Sequence, residues 1–192
     1  MLRIPPDKVR CLTVRVHHVE VGPIGIGREH ASQKGKLPGP LPAVQEAYFK
    51  EYPYLAVAPL GFGLETLTHT VRLIVSGLFD ALPTLKIIVG HLGETAPFTL
   101  WRTNDILAER RPMPRSFADY YREHFWLTTS GAFSDAALTC SIAEMGVERI
   151  LFSVDWPFMD NRAGRQWMDA APVSDRDRAL IFGANARKLL KL

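Results

Sequence analysis

Three short apolar runs recur along the chain, and each ends in polar residues: "LKIIVGH" (85–91), "FWLTTSG" (125–131) and "RILFSVDWPF" (149–158). Stretches of helical character separate them. "TAPFTLWRTNDILAERR" carries Pro97 near its first turn, "FADYYREHF" is a further helical piece, and "SDAALTCSIAEMG" has Ser134 as an N-cap and Gly146 as its stop. A closing helix is read in "SDRDRALIFGANARKLLKL". Strand and helix that alternate in this way build βαβ units and a parallel sheet. "LKIIVGH" lacks alternation, so it is expected to be a strand buried on both faces. Upstream, "GLETLTHTVRLIVSGLFDALP" reads as one long amphipathic helix, with Leu67, Val71, Ile74 and Leu78 at helical spacing and Pro83 beyond its end.

Residues 1–39 follow no such rule. "VRCLTVRVHHVEV" has the β-branched content of a strand, and "GPIGIGREHASQKGKLPGP" is broken by glycine and proline. From residue 40 the pattern is regular, beginning with a short helix in "LPAVQEAYFKEYP" that stops before Pro53. The domain boundary is therefore placed between 1–39 and 40–192.

Composition excludes several function classes. Of 192 residues, 47% are apolar and the net charge is +3, without a basic stripe or nucleic-acid-reading motif. Cys11 and Cys140 are far apart in sequence, which indicates neither a disulfide framework nor a CxxC zinc site. No apolar run is long enough to cross a bilayer, and no signal-peptide core is present, so a cytoplasmic protein is the expectation. "GFGLE" and "GPIGIG" lack the complete glycine fingerprint of a phosphate cradle.

Parallel α/β folds bind ligands at the carboxyl ends of their strands. His91, Ser130 and Asp155 stand at three such ends and are expected to converge on one rim. A histidine with an aspartate suits a divalent metal or acid–base chemistry. Each also has a plainer reading: a histidine at a strand end packs and hydrogen-bonds, "DWP" makes a turn or helix cap, and a helical arginine such as Arg102 is solvated or paired. His69, within a turn of Glu65 and Arg72, reads as part of a structural or interface network. His17, His18 and His30 are assigned no role.

The run "ETLTHTVRLIVSGLFDALPTLKIIVGHLGETAPFTLWR", the later "FWLTTSGAF" and "ERILFSVDWPF", and the closing "ALIFGANARKLLKL" resemble the C-terminal half of the amidohydrolase-superfamily decarboxylases. These are relatives of γ-resorcylate, 2,3-dihydroxybenzoate and aminocarboxymuconate-semialdehyde decarboxylase. The resemblance covers about residues 40–192. It implies the C-terminal part of a metal-dependent (β/α)8 TIM barrel, incomplete here, with one divalent ion, zinc or manganese, at its rim. It implies Asp155 as a metal ligand and catalytic group, and His91 as the active-site histidine beside the metal. Arg102 would receive the substrate carboxylate, and Glu94 would support the site or pack beneath it.

The expected activity is non-oxidative decarboxylation of a hydroxybenzoate-like or related unsaturated acid, with a small aromatic or unsaturated carboxylate as partner and a homo-oligomer as a further possibility. A metal-dependent hydrolase is the alternative within the superfamily. The departures are specific. The Glu-x-His or His-x-His pair of the family's first strand has no counterpart, and the place of an "HPR" or "HPG" run reads "KLPGPLP", with Lys36 and Leu37 where a ligand histidine would stand. The first 39 residues are accordingly expected to be an unrelated start, as from a truncated or misread gene. On the remaining ligands, weak metal binding and poor turnover are expected, and a non-catalytic fragment that packs against another chain is the rival of a different class.

Overall fold

The computed structural model describes residues 11–13, by backbone alone, and 49–192. His17, His18, His30, Lys36 and Leu37 lie outside them, as does most of the segment read as a helix before Pro53, of which 49–51 are helical. The chain divides into a unit of residues 16–66 and a unit of 1–15 with 67–192. In the smaller unit the described structure holds a short 3-10 turn, Pro53–Ala56.

The larger unit is built on four parallel strands in the order β1 (Cys11–Thr13), β2 (Lys86–Val89), β3 (Phe125–Thr128) and β4 (Ile150–Leu151). The registers place Leu12 beside Ile87, Ile88 beside Trp126, and Leu127 beside Ile150. The helices are α1 (Gly61–Val75, which begins within the smaller unit), α2 (Leu78–Ala81), α3 (Ala96–Arg110), α4 (Phe117–His124), α5 (Asp135–Met145), α6 (Asn161–Ala170), α7 (Asp175–Ala179) and α8 (Asn185–Leu190). This is an open α/β sheet among the described residues, with strand and helix alternating as the sequence implies.

Burial alternates along the strands. Ile87, Val89, Phe125 and Leu127 are buried in a core shared with Leu100, Tyr121, Leu138 and Ile181, whereas Lys86, Ile88, Trp126 and Thr128 are half-buried. The expectation that 85–91 is buried on both faces is corrected: only one face joins the core. The other begins with Lys86, whose ammonium donates to the Glu123 carbonyl (3.2 Å) and lies over the Trp126 ring. A charged group with a partner of this kind is kept out of an apolar core by its desolvation cost.

The long helix read upstream is two helices. Gly77 adopts φ 77° between α1 and α2, and Ser76 N–H already bonds back to the Arg72 carbonyl. A left-handed residue ends a helix, and glycine takes that conformation without a Cβ penalty. The caps read from sequence are present: Ser134 Oγ accepts from Ala137 N–H, and Gly146 stands at the C-terminus of α5. α6 is amphipathic, with Met168 buried and Trp167 packed against the core, and its start is marked by the Asp160 carboxylate accepting from Arg162 N–H (2.6 Å). The third apolar run forms only the two ladder residues of β4. Between α7 and α8 a π-turn, Leu180–Ala184, interrupts the closing helix, and its Ile181 carbonyl accepts Phe152 N–H (2.9 Å) beyond β4. Buried Asn185 donates to the carbonyls of Val147 and Ile150 (2.8 Å each), which pins the entry to β4.

His124 ends α4 inside this core. It is 1% exposed, stacks on Phe79 at 4.2 Å, and its Nδ1 bonds the Leu85 carbonyl (2.9 Å). Burial holds its pKa below the ordinary value of 6.5, against the opposing effect of the Leu85 bond. The unfolded chain therefore binds this proton more readily than the folded one. The stabilisation is complete above pH 6.5 and is lost as pH falls from there through the folded pKa. Urea unfolding from about pH 7.5 to about pH 5 should show a midpoint that declines on acidification, and His124→Phe should flatten that decline. A decline identical in the variant would assign it to other groups.

Candidate active site

β2 leads into a tight turn whose backbone is strained. Gly90 is extended, and then His91 (φ 51°), Leu92 (φ 54°), Gly93 (φ 79°) and Glu94 (φ 55°) all have left-handed φ values. Three of the four are not glycine, in a region where each L-residue with a side chain costs about 1 kcal/mol or more. The turn is held by hydrogen bonds from Gly93 N–H to the Gly90 carbonyl (2.8 Å) and from Glu94 N–H to the His91 carbonyl (3.0 Å). Buried Ser141 on α5 donates to the Leu92 carbonyl (3.1 Å).

This conformation folds Glu94 back onto His91. His91 Nδ1 and Glu94 Oε1 are 2.6 Å apart, and His91 Nε2 is 3.6 Å from Asp155 Oδ2. With a carboxylate on Nδ1, that nitrogen carries hydrogen and Nε2 faces Asp155. The Glu94 hydrogen bond raises the His91 pKa, partial burial opposes it, and the charges of Glu94 and Asp155 add to the rise. The imidazole thus holds a proton to higher pH than a free histidine does.

Asp155 sits in a second strained position, φ 75°. Its carbonyl accepts from Phe158 N–H (2.8 Å) and Met159 N–H (3.2 Å), which fixes the turn after the third run. The chain between β4 and Asp155 is tied to β3 by fully buried Thr129. Thr129 N–H bonds the Leu151 carbonyl (3.0 Å), and its hydroxyl both donates to the Ser153 carbonyl (2.6 Å) and accepts Ser153 N–H (3.0 Å). Gly131, φ 64°, closes the group: a Cβ there would lie 3.4 Å from Asp155 Oδ2 and 3.5 Å from His91 Cδ2.

The structure thus brings His91, Glu94 and Asp155 together on one rim, with Glu94 bonded directly to the histidine. Arg102 lies exposed on α3, beside exposed Trp101, and no described hydrogen bond or ion pair joins it to the trio. The Glu94–His91 contact had no signal in the sequence, because it depends on the run of left-handed residues at 91–94. Gly131, Ser153 and Thr129 carried no signal either, because their roles depend on the pairing of β3 with the strand that follows.

The family model described as "Amidohydrolase" matches residues 14–192. The chain belongs to the amidohydrolase family. Among curated proteins it is 42% identical over 158 residues to gamma-resorcylate decarboxylase of Rhizobium radiobacter, a match covering 80% of this chain and 48% of that protein. The same enzyme of Rhodococcus jostii is 41% identical over 157 residues, with 79% and 48% covered. Among solved structures, 2,6-dihydroxybenzoate decarboxylase in complex with 2,6-dihydroxybenzoate superposes with a TM-score of 0.73 at 40% identity, covering 81% of this chain and 49% of that one. The Polaromonas dihydroxybenzoic acid decarboxylase with bound manganese and 2-nitroresorcinol gives 0.73 at 40%, covering 81% and 48%. This amidohydrolase chain spans about half the length of the relatives it matches, and its open sheet corresponds to part of their barrel.

Proposed function

We propose that the His91–Glu94–Asp155 rim is the proton-transfer site of a carboxy-lyase acting on a hydroxybenzoate-like acid. The observation that supports this best is the approach of His91 Nε2 to Asp155 at strand ends, in a chain whose relatives are decarboxylases.

Asp155 takes a proton from protonated His91 and passes it to the ring carbon that bears the carboxylate, and a C–H bond forms at the expense of ring π electrons. The C–C bond to the carboxylate then breaks, its electron pair restores the aromatic ring, and carbon dioxide leaves. Asp155, now a carboxylate, regains a proton from solvent by way of His91, whose protonated form Glu94 stabilises. Arg102 holds the substrate carboxylate, for which the guanidinium fork can bind both oxygens.

A divalent metal, zinc or manganese, is the cofactor that goes with this reading. Asp155 and His91 Nε2 offer two donors, one short of the three protein ligands usual in a catalytic site. Among the described residues no group of three His, Cys, Asp or Glu side chains could hold an ion. Those residues alone do not fit a metal, and none of the steps above passes through one. Two donors would hold an ion weakly.

The reading is tested by incubating the purified chain, supplied with manganese or zinc, with 2,6-dihydroxybenzoate and separately with an aryl ester. Carbon dioxide release without ester cleavage supports the carboxy-lyase, and the reverse supports a hydrolase. Arg102→Lys should raise KM by roughly tenfold or more, as for loss of a charged hydrogen bond worth about 1.5–3 kcal/mol. Its Tm should be unchanged, because Arg102 is exposed. Unaltered kinetics would remove Arg102 from the site.

A further inference from the structure

Along β3 and its extension the side chains alternate: Phe125, Leu127 and Thr129 are fully buried toward the helices, while Trp126, Thr128 and Ser130 are half-buried on the opposite face. Ser130 therefore points away from the helical core. Its hydroxyl is in short contact with the hydroxyl of Ser153, which stands two residues before Asp155. On its other side Ser130 lies against the backbone before His91, since a Cβ on Gly90 would be 3.8 Å from Ser130 Cβ. The residue after it, Gly131, is the one whose missing side chain leaves room against His91 and Asp155. The serine pair thus borders the rim.

Two hydroxyls bring two protons and four lone pairs. One proton lies between the two oxygens, and the other has no acceptor among the described residues. Two residues earlier on the same face, Thr128 Oγ1 is buried and, like Tyr121 Oη in the core, has no hydrogen-bond partner among the described residues. A pair that can both donate and accept matches a hydroxyl, which also does both; a carboxylate only accepts and is better served by a cation.

We propose that the Ser130–Ser153 pair is the subsite that receives a ring hydroxyl of the aromatic acid, donating its spare proton to that oxygen and so selecting hydroxylated substrates. The choice of an aromatic acid rests on the carboxy-lyase reading.

The test is equilibrium titration of the 192-residue chain with 2,6-dihydroxybenzoate and with benzoate. Ser130→Ala should weaken 2,6-dihydroxybenzoate roughly tenfold and leave benzoate within about twofold, and Ser130→Thr, which keeps the hydroxyl, should restore the first ligand. Ser153→Ala should reproduce the Ser130→Ala pattern, and melting temperatures matched to the unaltered chain confirm that the variants fold. Equal losses for both ligands, no loss for either, or no binding of 2,6-dihydroxybenzoate to the unaltered chain would each overturn the subsite. Serine-dependent binding without carbon dioxide release would keep the subsite and remove the reaction.

Discussion

Gly93→Ala should lower the stability of this chain by about 2–4 kcal/mol and its Tm by roughly 5–15 °C. Two effects combine. Gly93 has φ 79°, where a side chain is strained, and an added Cβ would stand 2.8 Å from the Tyr121 hydroxyl and 3.0 Å and 3.1 Å from the methyls of Leu127. Tyr121 and Leu127 are both fully buried, so neither can move aside without opening the core. The same change at Gly183, where nothing lies within 4 Å of the new methyl, should be neutral or stabilising by up to about 1 kcal/mol. Chemical denaturation of both variants measures the contrast. A Gly93→Ala chain as stable as the original would mean that the His91–Glu94 turn is not held as tightly as its geometry implies.

Asp155→Asn should reduce decarboxylation at least about a hundredfold, which is about 2.7 kcal/mol on the barrier. Asparagine keeps the shape and tolerates the left-handed backbone of this position, but it cannot supply or recover a proton. Its effect on stability should be small. The described side-chain interaction of Asp155 is the 3.6 Å approach to a histidine, and both groups are about one-third exposed, so the charge pair is screened. A hundredfold loss of turnover with an unchanged Tm is the expected combination. A fall in Tm that accounts for the lost activity would make Asp155 a structural residue.

Three of the four parallel strands were legible because β2, β3 and β4 lie in apolar runs followed by polar residues, and Ser134 and Gly146 are strong local signals for the ends of a helix. Gly77 was harder to read. The apolar spacing of Leu67, Val71, Ile74 and Leu78 runs through it, and only the left-handed backbone shows that the helix stops. α6 was also harder to read, because its apolar face is carried only by Trp167 and Met168 and a glycine, Gly164, stands mid-helix. Gly164 is itself informative only in three dimensions, where a Cβ would lie 2.8 Å from the Phe133 ring.

At the site, strand-end logic placed His91, Ser130 and Asp155 on one rim, since parallel strands share a direction. The Glu94–His91 bond was not legible, because it depends on four successive left-handed residues, three of which have side chains that disfavour that conformation. The Ser130–Ser153 contact depends on how Thr129 ties two strands together beyond the regular ladder. Tertiary structure decides both.

The proposed replacement of a ring carboxylate by a proton at this rim is tested most directly by the product balance from 2,6-dihydroxybenzoate in deuterated water, with the chain supplied with manganese. Slow release of carbon dioxide and resorcinol in equal amounts is expected, with one deuterium on the ring carbon that lost its carboxylate, and with the rate abolished in Asp155→Asn. No product above the buffer control, or a rate that Asp155→Asn leaves intact, would contradict it.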